Sequence, residues 1–206
     1  MGEKESKLLK PIEVLEELDR KVDLTRRSRI KASQRLRGKD HYFGKISHLY
    51  SLLVLVFSIW FIVTPNELVG IKATKILLII SLSLLFFSMF LGMKNYKERA
   101  NNFEINYQQL NVLLHKIQRL KTSPENITIA KLKELHREYE KLIIDKENHQ
   151  NIDYMTCNDE LVIKFKSEIT KYRVFDKIKK ILVAIYPLIL MVIVIMVERL
   201  VNLFIP

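Results

Sequence analysis

The chain has 206 residues and carries 34 Lys or Arg against 23 Asp or Glu, a formal net charge of +11. Almost half of it is hydrophobic (49%), and these residues gather in three runs with highly charged sequence between them, the distribution of a membrane protein. The single cysteine, Cys157, excludes an intrachain disulfide.

Residues 1–10 are polar. The first apolar run starts too late for a signal peptide, and no small-residue cleavage site follows it. Pro11 suits the first position of a helix. Ile12, Leu15, Leu18 and Val22 follow at i, i+3, i+6 and i+10, a narrow apolar stripe. Glu13, Glu16, Glu17 and Asp19 favour the positive end of that helix. From Arg26 the sign changes: Arg26, Arg27, Arg29, Lys31, Arg35 and Arg37, then Lys39 and Lys45, oppose only Asp40. Such a juxtamembrane run reads first as a topology signal. Anionic-lipid contact and a nucleic-acid patch are the alternatives, and direct nucleic-acid binding is not expected.

Ile46–Val63 and Ile76–Met93 are 18 residues each and contain no Asp, Glu, Lys or Arg. Each is long enough to cross a hydrocarbon core. The connection Thr64–Lys75 holds Pro65, Asn66 and Gly70, all turn formers, so the two spans should be antiparallel neighbours. Ser47, Ser51 and Ser58 share one face of the first span; Ser81, Ser88 and Gly92 share one face of the second. Small residues allow close helix approach, and serine adds hydrogen bonding. These faces either pack on each other within one hairpin or bring several copies together around a polar path. Leu55 is taken as lipid-facing, and His48 and Trp60 as lying near opposite interfaces. With no Asp, Glu, Lys or Arg inside either run, ion-coupled transport is not expected.

Phe103, Tyr107, Leu110, Leu114, Ile117 and Leu120 form an apolar seam, read as one helix running on from the second span to about Lys121. Thr122–Asn126 is a break, with Ser123 as cap and Pro124 as the next helix start. Ile129, Leu132, Leu135, Tyr139, Leu142 and Ile143 mark a helix that folds back on the first. Asn151–Asn158 is read as a bend. Leu161, Phe165, Ile169 and Tyr172 then resume helical spacing into a third apolar run, Ile181–Val197. Lys and Arg number 13 in residues 1–45, 2 in 64–75, 18 in 94–180 and 1 in 198–206. By the positive-inside rule the N-terminus and residues 94–180 are cytoplasmic, and three spans put the C-terminus outside.

No glycine-rich phosphate loop, paired-cysteine set or helical HExxH occurs. One polar cluster, Glu147, Asn148, His149 and Asp153, is either a hydrogen-bond network at a helix end or a ligand or sensing site. No catalytic residue, metal or cofactor is expected.

The fold class that follows is an all-α membrane protein. An N-terminal amphipathic helix with a basic end (1–45) leads into a two-helix transmembrane hairpin (46–93). A cytoplasmic antiparallel helical insert (94–180) and a third, C-terminal transmembrane helix with a short tail (181–206) follow. Arg29-x-x-Ala32-Ser33-x-Arg35-Leu36 stands just before the hairpin. Asn106-Tyr107 and Leu110-Asn111-x-x-Leu114 follow on the long helix, then Glu138-Tyr139, Leu142-Ile143, Glu147-Asn148-His149 and Asp153-Tyr154. With these motifs the chain resembles the SLATT family, small two-span effectors of bacterial conflict systems, in a subfamily with an additional C-terminal hydrophobic helix. The resemblance implies a homo-oligomeric effector of antiviral defence in the bacterial inner membrane. Triggered by a nucleotidyltransferase or reverse-transcriptase partner system, it would permeabilise the lipid bilayer and arrest or kill the host. The residues alone leave two other classes open: a non-conducting anchor that recruits a cytoplasmic partner, and a membrane-surface enzyme built on His149 and Asp153.

Overall fold

The computed structural model describes residues 11–62, 67–144 and 146–204. Seven helices account for most of them: α1 (Pro11–Ile62), α2 (Glu67–Lys94), α3 (Tyr96–Lys121), α4 (Ile129–Ile144), α5 (Asn151–Met155), α6 (Asp159–Lys164) and α7 (Lys166–Phe204). The described residues contain no strand. Two compact units divide the chain, residues 1–36 with 97–169 and residues 37–96 with 170–206. Helices α1 and α7 contribute to both.

In the first unit the stripe on α1 finds its partners. Leu15, Leu18 and Val22 are at most 1% exposed and pack with Leu110, Leu113, Leu114 and Ile117 of α3 and with Leu132 and Leu135 of α4. Each fully buried Leu, Ile or Val contributes about 1.5–3 kcal/mol. The insert therefore folds as a three-helix bundle with the N-terminal helix, where the sequence suggested a pair. Polar contacts set the register. Lys121–Asp19 (2.8 Å), Arg26–Asn111 (3.4 Å) and Ser33–Ala100 (3.0 Å) run antiparallel along α3 and α1. Asn106–Leu142 and Lys116–Glu138, both 2.8 Å, do the same for α3 and α4.

Local chemistry moves several expected boundaries. The second helix begins at Glu67 and takes in Gly70; Thr64, Pro65 and Asn66 of the expected turn lie outside the described residues. The continuous helix expected through to Lys121 is interrupted at Asn95, whose φ is +46° and whose N–H donates to the Gly92 carbonyl at 3.1 Å. Asparagine tolerates this left-handed conformation, which stops one helix and lets another start. Pro124 opens only a 3₁₀ turn, Pro124–Asn126. Helix α4 is capped instead by Thr128, whose hydroxyl accepts from the Lys131 N–H at 3.3 Å. The bend expected over Asn151–Asn158 is partly the helix α5.

The second unit holds the three helices long and apolar enough to cross a membrane. Their side chains are exposed on the surface a bilayer would cover: Trp60 is 72%, Leu78 69% and Phe86 62% exposed. Within the unit α1 and α2 are antiparallel. Phe43 stacks on Tyr96 with centroids 6.1 Å apart, and the Phe61 carbonyl lies 3.9 Å from where a Gly70 Cβ would stand. Helix α7 runs parallel to α1: Asp176 pairs with Lys39 at 3.8 Å, and the hydroxyls of Tyr42 and Tyr50 donate to the carbonyls of Lys180 and Ala184. The Ala184 carbonyl is the neighbour of that of Val183, which loses its helical partner because Pro187 has no N–H.

Candidate functional site

The serine faces meet. Ser47, Ser51 and Ser58 of α1 and Ser81 and Ser88 of α2 line one open groove of about 490 Å³, with His48 beside them and Val54, Leu84 and Leu85 completing the walls. The helical period places the serines on one side of each helix, and the antiparallel hairpin turns the two sides together. Leu55, 57% exposed, also lines the groove, so it is not a control position outside it. Gly92, the sixth small residue, is exposed, and a Cβ there would meet nothing within 4 Å.

The hydroxyl chemistry decides what this groove offers. Ser51 donates to the Ser47 carbonyl at 2.9 Å, Ser58 to Val54 at 2.7 Å and Ser81 to Leu77 at 2.7 Å. Each of these hydroxyl protons is used within its own helix, which makes it tolerable against lipid. The oxygen lone pairs stay available to accept. One copy therefore presents a strip of weak acceptors on an otherwise apolar surface, and no fixed charge. That strip can pack against a second helix pair, or hydrate if several strips face one another.

In the first unit the cluster at Glu147–Asp153 is built on ion pairs. Residues 147–150 are not helical, so His149 and Asp153 are not one helical turn apart. Asp153 is 2% exposed and receives Nε and Nη2 of Arg35, both at 2.8 Å. Its Oδ2 also accepts the Gln150 N–H at 2.9 Å, closing the capping box of α5. Glu147 takes a two-pronged contact from Arg99, and the Arg99 hydrogen bond holds its carboxyl below the ordinary carboxylate value. Asn148 is exposed, and the Nδ1 of His149 is buried with no partner. Burial, then the Arg29 charge, push His149 below the ordinary imidazole value, with Asp153 acting in the opposite direction. Among the described residues no group of three His, Cys, Asp or Glu is placed to hold a metal.

Of the six basic residues expected to flank the membrane, Arg35 serves Asp153, while Arg26 and Arg27 both pair with Asp23 at 2.7 Å. Lys31 and Arg37 are exposed. Arg29 is 2% exposed and lies 5.9 Å over the Phe103 ring. Its Nη1 is 3.5 Å from the Glu147 carbonyl, its Nε is buried without a partner, and no described carboxylate pairs with it. Arg29 opens into a polar cleft of about 160 Å³ whose other walls are Arg99, Asn102, Phe103, Lys146 and Glu147. Reading the basic run as a surface feature missed this cleft. The available signal was the register of Arg29, seven residues after Val22 and so on the buried stripe.

No curated protein and no solved structure matches the chain. One family does: the model of SMODS and SLOG-associating 2TM effector domain family 5 matches residues 12–199. The match takes in the N-terminal helix, the hairpin, the insert and the third apolar helix together, so the extra span is part of what is shared and not an appendage to a two-span core. With nine-tenths of its length under that one match, the chain belongs to family 5 of the SMODS and SLOG-associating 2TM effector domains.

Proposed function

We propose that the protein is the membrane-permeabilising effector of a bacterial conflict system. Copies gather in the inner membrane when a nucleotide- or nucleic-acid-sensing partner, such as a nucleotidyltransferase or reverse-transcriptase system, signals invasion. The resulting path for water and ions arrests or kills the host. It acts by assembly and performs no catalysis. Family membership supports the effector role, and the observation that carries the mechanism is the serine groove. One hairpin and one helix are too few to enclose an aqueous path, so conduction requires several copies, and the groove gives each a polar strip on its membrane face. The Lys and Arg distribution supports a cytoplasmic N-terminus and bundle with the C-terminus in the periplasm.

The test is substitution in the groove. Leucine inserts more readily than serine, so Ser58→Leu and Ser88→Leu should reach the membrane normally. They fill the groove and remove acceptors, so growth arrest and dye entry on triggering or overexpression should fall at least tenfold. Val56→Leu, at a position 52% exposed outside the groove, should leave both unchanged. Normal insertion with undiminished toxicity in both serine variants would leave the hairpin as an anchor, the bundle then acting by recruiting a partner.

A further inference from the structure

We infer that the cleft around Arg29 is a binding site for a phosphate monoester group, carried either by a soluble phosphate ester or by a lipid headgroup that ends in one. The starting point is an imbalance. Burying a guanidinium costs several kcal/mol unless a carboxylate or equivalent anion compensates it. The bundle supplies such a partner to Arg35 and to Arg99 but, among the described residues, not to Arg29, which is more enclosed than either. Its Nε is left without an acceptor, and its one hydrogen bond is a long contact to a backbone carbonyl. Around that fork stand Arg99, Lys146 and the Asn102 amide, all lining the same opening. Among the described lining residues Glu147 is the one acid and occupies Arg99, which leaves them with a net charge of +2 from three cations and one carboxylate.

Size and donor count select the ligand. At about 160 Å³ the cleft is smaller than the roughly 300–1,000 Å³ of a site that encloses a drug-sized molecule. It can surround one charged group while the remainder of the ligand stays outside. Two guanidinium forks, an ammonium and an amide offer more donors than the two terminal oxygens of a carboxylate or a phosphodiester can accept; a phosphate monoester, with three terminal oxygens and a second charge, meets more of them. Phosphate entry would displace the Glu147 carboxylate from Arg99 and so loosen the segment joining α4 to α5. Arg99 follows the end of α2 by only five residues, which keeps a headgroup within the candidate sources. This site stands independently of whether the groove conducts.

The experiment uses the full-length protein in nanodiscs of neutral phosphatidylcholine. Inorganic phosphate and phenyl phosphate are titrated at constant ionic strength against chloride, with binding read by calorimetry and by the thermal midpoint. Phosphate should bind saturably and raise the midpoint above the chloride control. Glu147→Gln should lower the midpoint in chloride, because Arg99 loses its partner, yet tighten phosphate binding severalfold, because the internal competitor is gone. Lys146→Gln, at an exposed position, should weaken binding roughly tenfold without destabilising the fold, and Arg29→Gln should abolish binding. If Arg29→Gln fails to fold, the opposed effects of Glu147→Gln and Lys146→Gln still decide the matter. Repeating the titration in nanodiscs containing phosphatidic acid, whose headgroup is a phosphate monoester, separates the sources: a headgroup ligand competes with added phosphate, and a soluble ester does not notice the lipid. Equal midpoints in phosphate and chloride in both lipids, or acetate acting as strongly as phosphate, would overturn the assignment.

Discussion

Asp153 holds three donors at once, two from Arg35 and one from the Gln150 N–H, with almost no access to water. Removing its charge strands a guanidinium whose side chain is only 14% exposed. Asp153→Asn should therefore cost about 3 kcal/mol, the lower end for breaking a buried pair. The loss is to be read as a lower thermal midpoint and faster hydrogen exchange over residues 150–156. Arg35→Lys should also be destabilising, since an ammonium cannot make the two-pronged contact. A second expectation concerns acid. His149 has a folded-state value below its ordinary 6.5. The unfolded chain then binds more protons than the fold once pH drops past about 6.5, so stability is full above that point and declines below it until the folded value is reached. Glu147, also depressed, adds a loss in the same direction below its ordinary 4.5. His149→Asn should flatten the first decline, checked by thermal midpoints between neutral pH and pH 5. At this scale the sequence identified the polar cluster but not its bonding. Arg35 and Asp153 lie 118 residues apart, and no local pattern announces a pair that only the bundle brings together. Arg29 was legible in part. Leu15, Leu18, Val22, Thr25, Arg29, Ala32 and Leu36 alternate by three and four, so a stripe followed past its first polar member would have placed that charge in the core.

Helices were the most legible level, because hydrophobic period and length survive without knowledge of partners. Every apolar run became a helix, and the stripe on α1, the seam on α3 and the face of α4 supplied the core. What the period could not supply was where one helix stops and the next begins. Between α2 and α3 the break rests on a single residue in the left-handed region, Asn95, with charged sequence continuing on the far side. Conversely, the change from charged to apolar sequence near residue 45 invites a boundary, yet α1 runs through it from Pro11 to Ile62 despite Gly38 and Gly44. A glycine costs a helix interior only about 1 kcal/mol, too little to end it when the flanking segments are both held. The Asn95 break is testable on the same scale. Asn95→Gly should be neutral or slightly stabilising, because glycine adopts positive φ freely, whereas Asn95→Val should cost about 1–2 kcal/mol through its branched Cβ. Thermal unfolding of the detergent-solubilised protein would show it. Equal midpoints for the glycine and valine variants would mean that the chain runs straight through residue 95.

For the assembly proposed above the question is whether the groove becomes wet, and a thiol reports this directly. Methanethiosulfonate reagents react with the thiolate, which forms only where water reaches the sulfur; a cysteine facing lipid stays protonated and inert. The one native cysteine, Cys157, is 8% exposed in the bundle and can be removed as Cys157→Ser. In that background Ser58→Cys and Ser88→Cys place a thiol on each wall of the groove, and Leu52→Cys places one at a position 58% exposed outside it. In resting cells all three should react slowly, because a single copy exposes the groove to hydrocarbon. Once the effector is triggered, the two groove thiols should react at least tenfold faster and the charged adduct should alter or block dye entry, while Leu52→Cys remains slow. Oxidation in the triggered state should also yield disulfide-linked dimers from Ser58→Cys or Ser88→Cys, since an enclosed path brings the grooves of neighbouring copies face to face. The sequence carried this far because serine spacing on two helices needs only the helical period to be read. It could not reveal that the hydroxyls are closed onto their own backbones, which is why the unassembled strip can rest against lipid at all. Should the triggered cells leak dye while both groove thiols stay as slow as Leu52→Cys, the conducting surface lies elsewhere on the three helices, and the serines do no more than pack the hairpin.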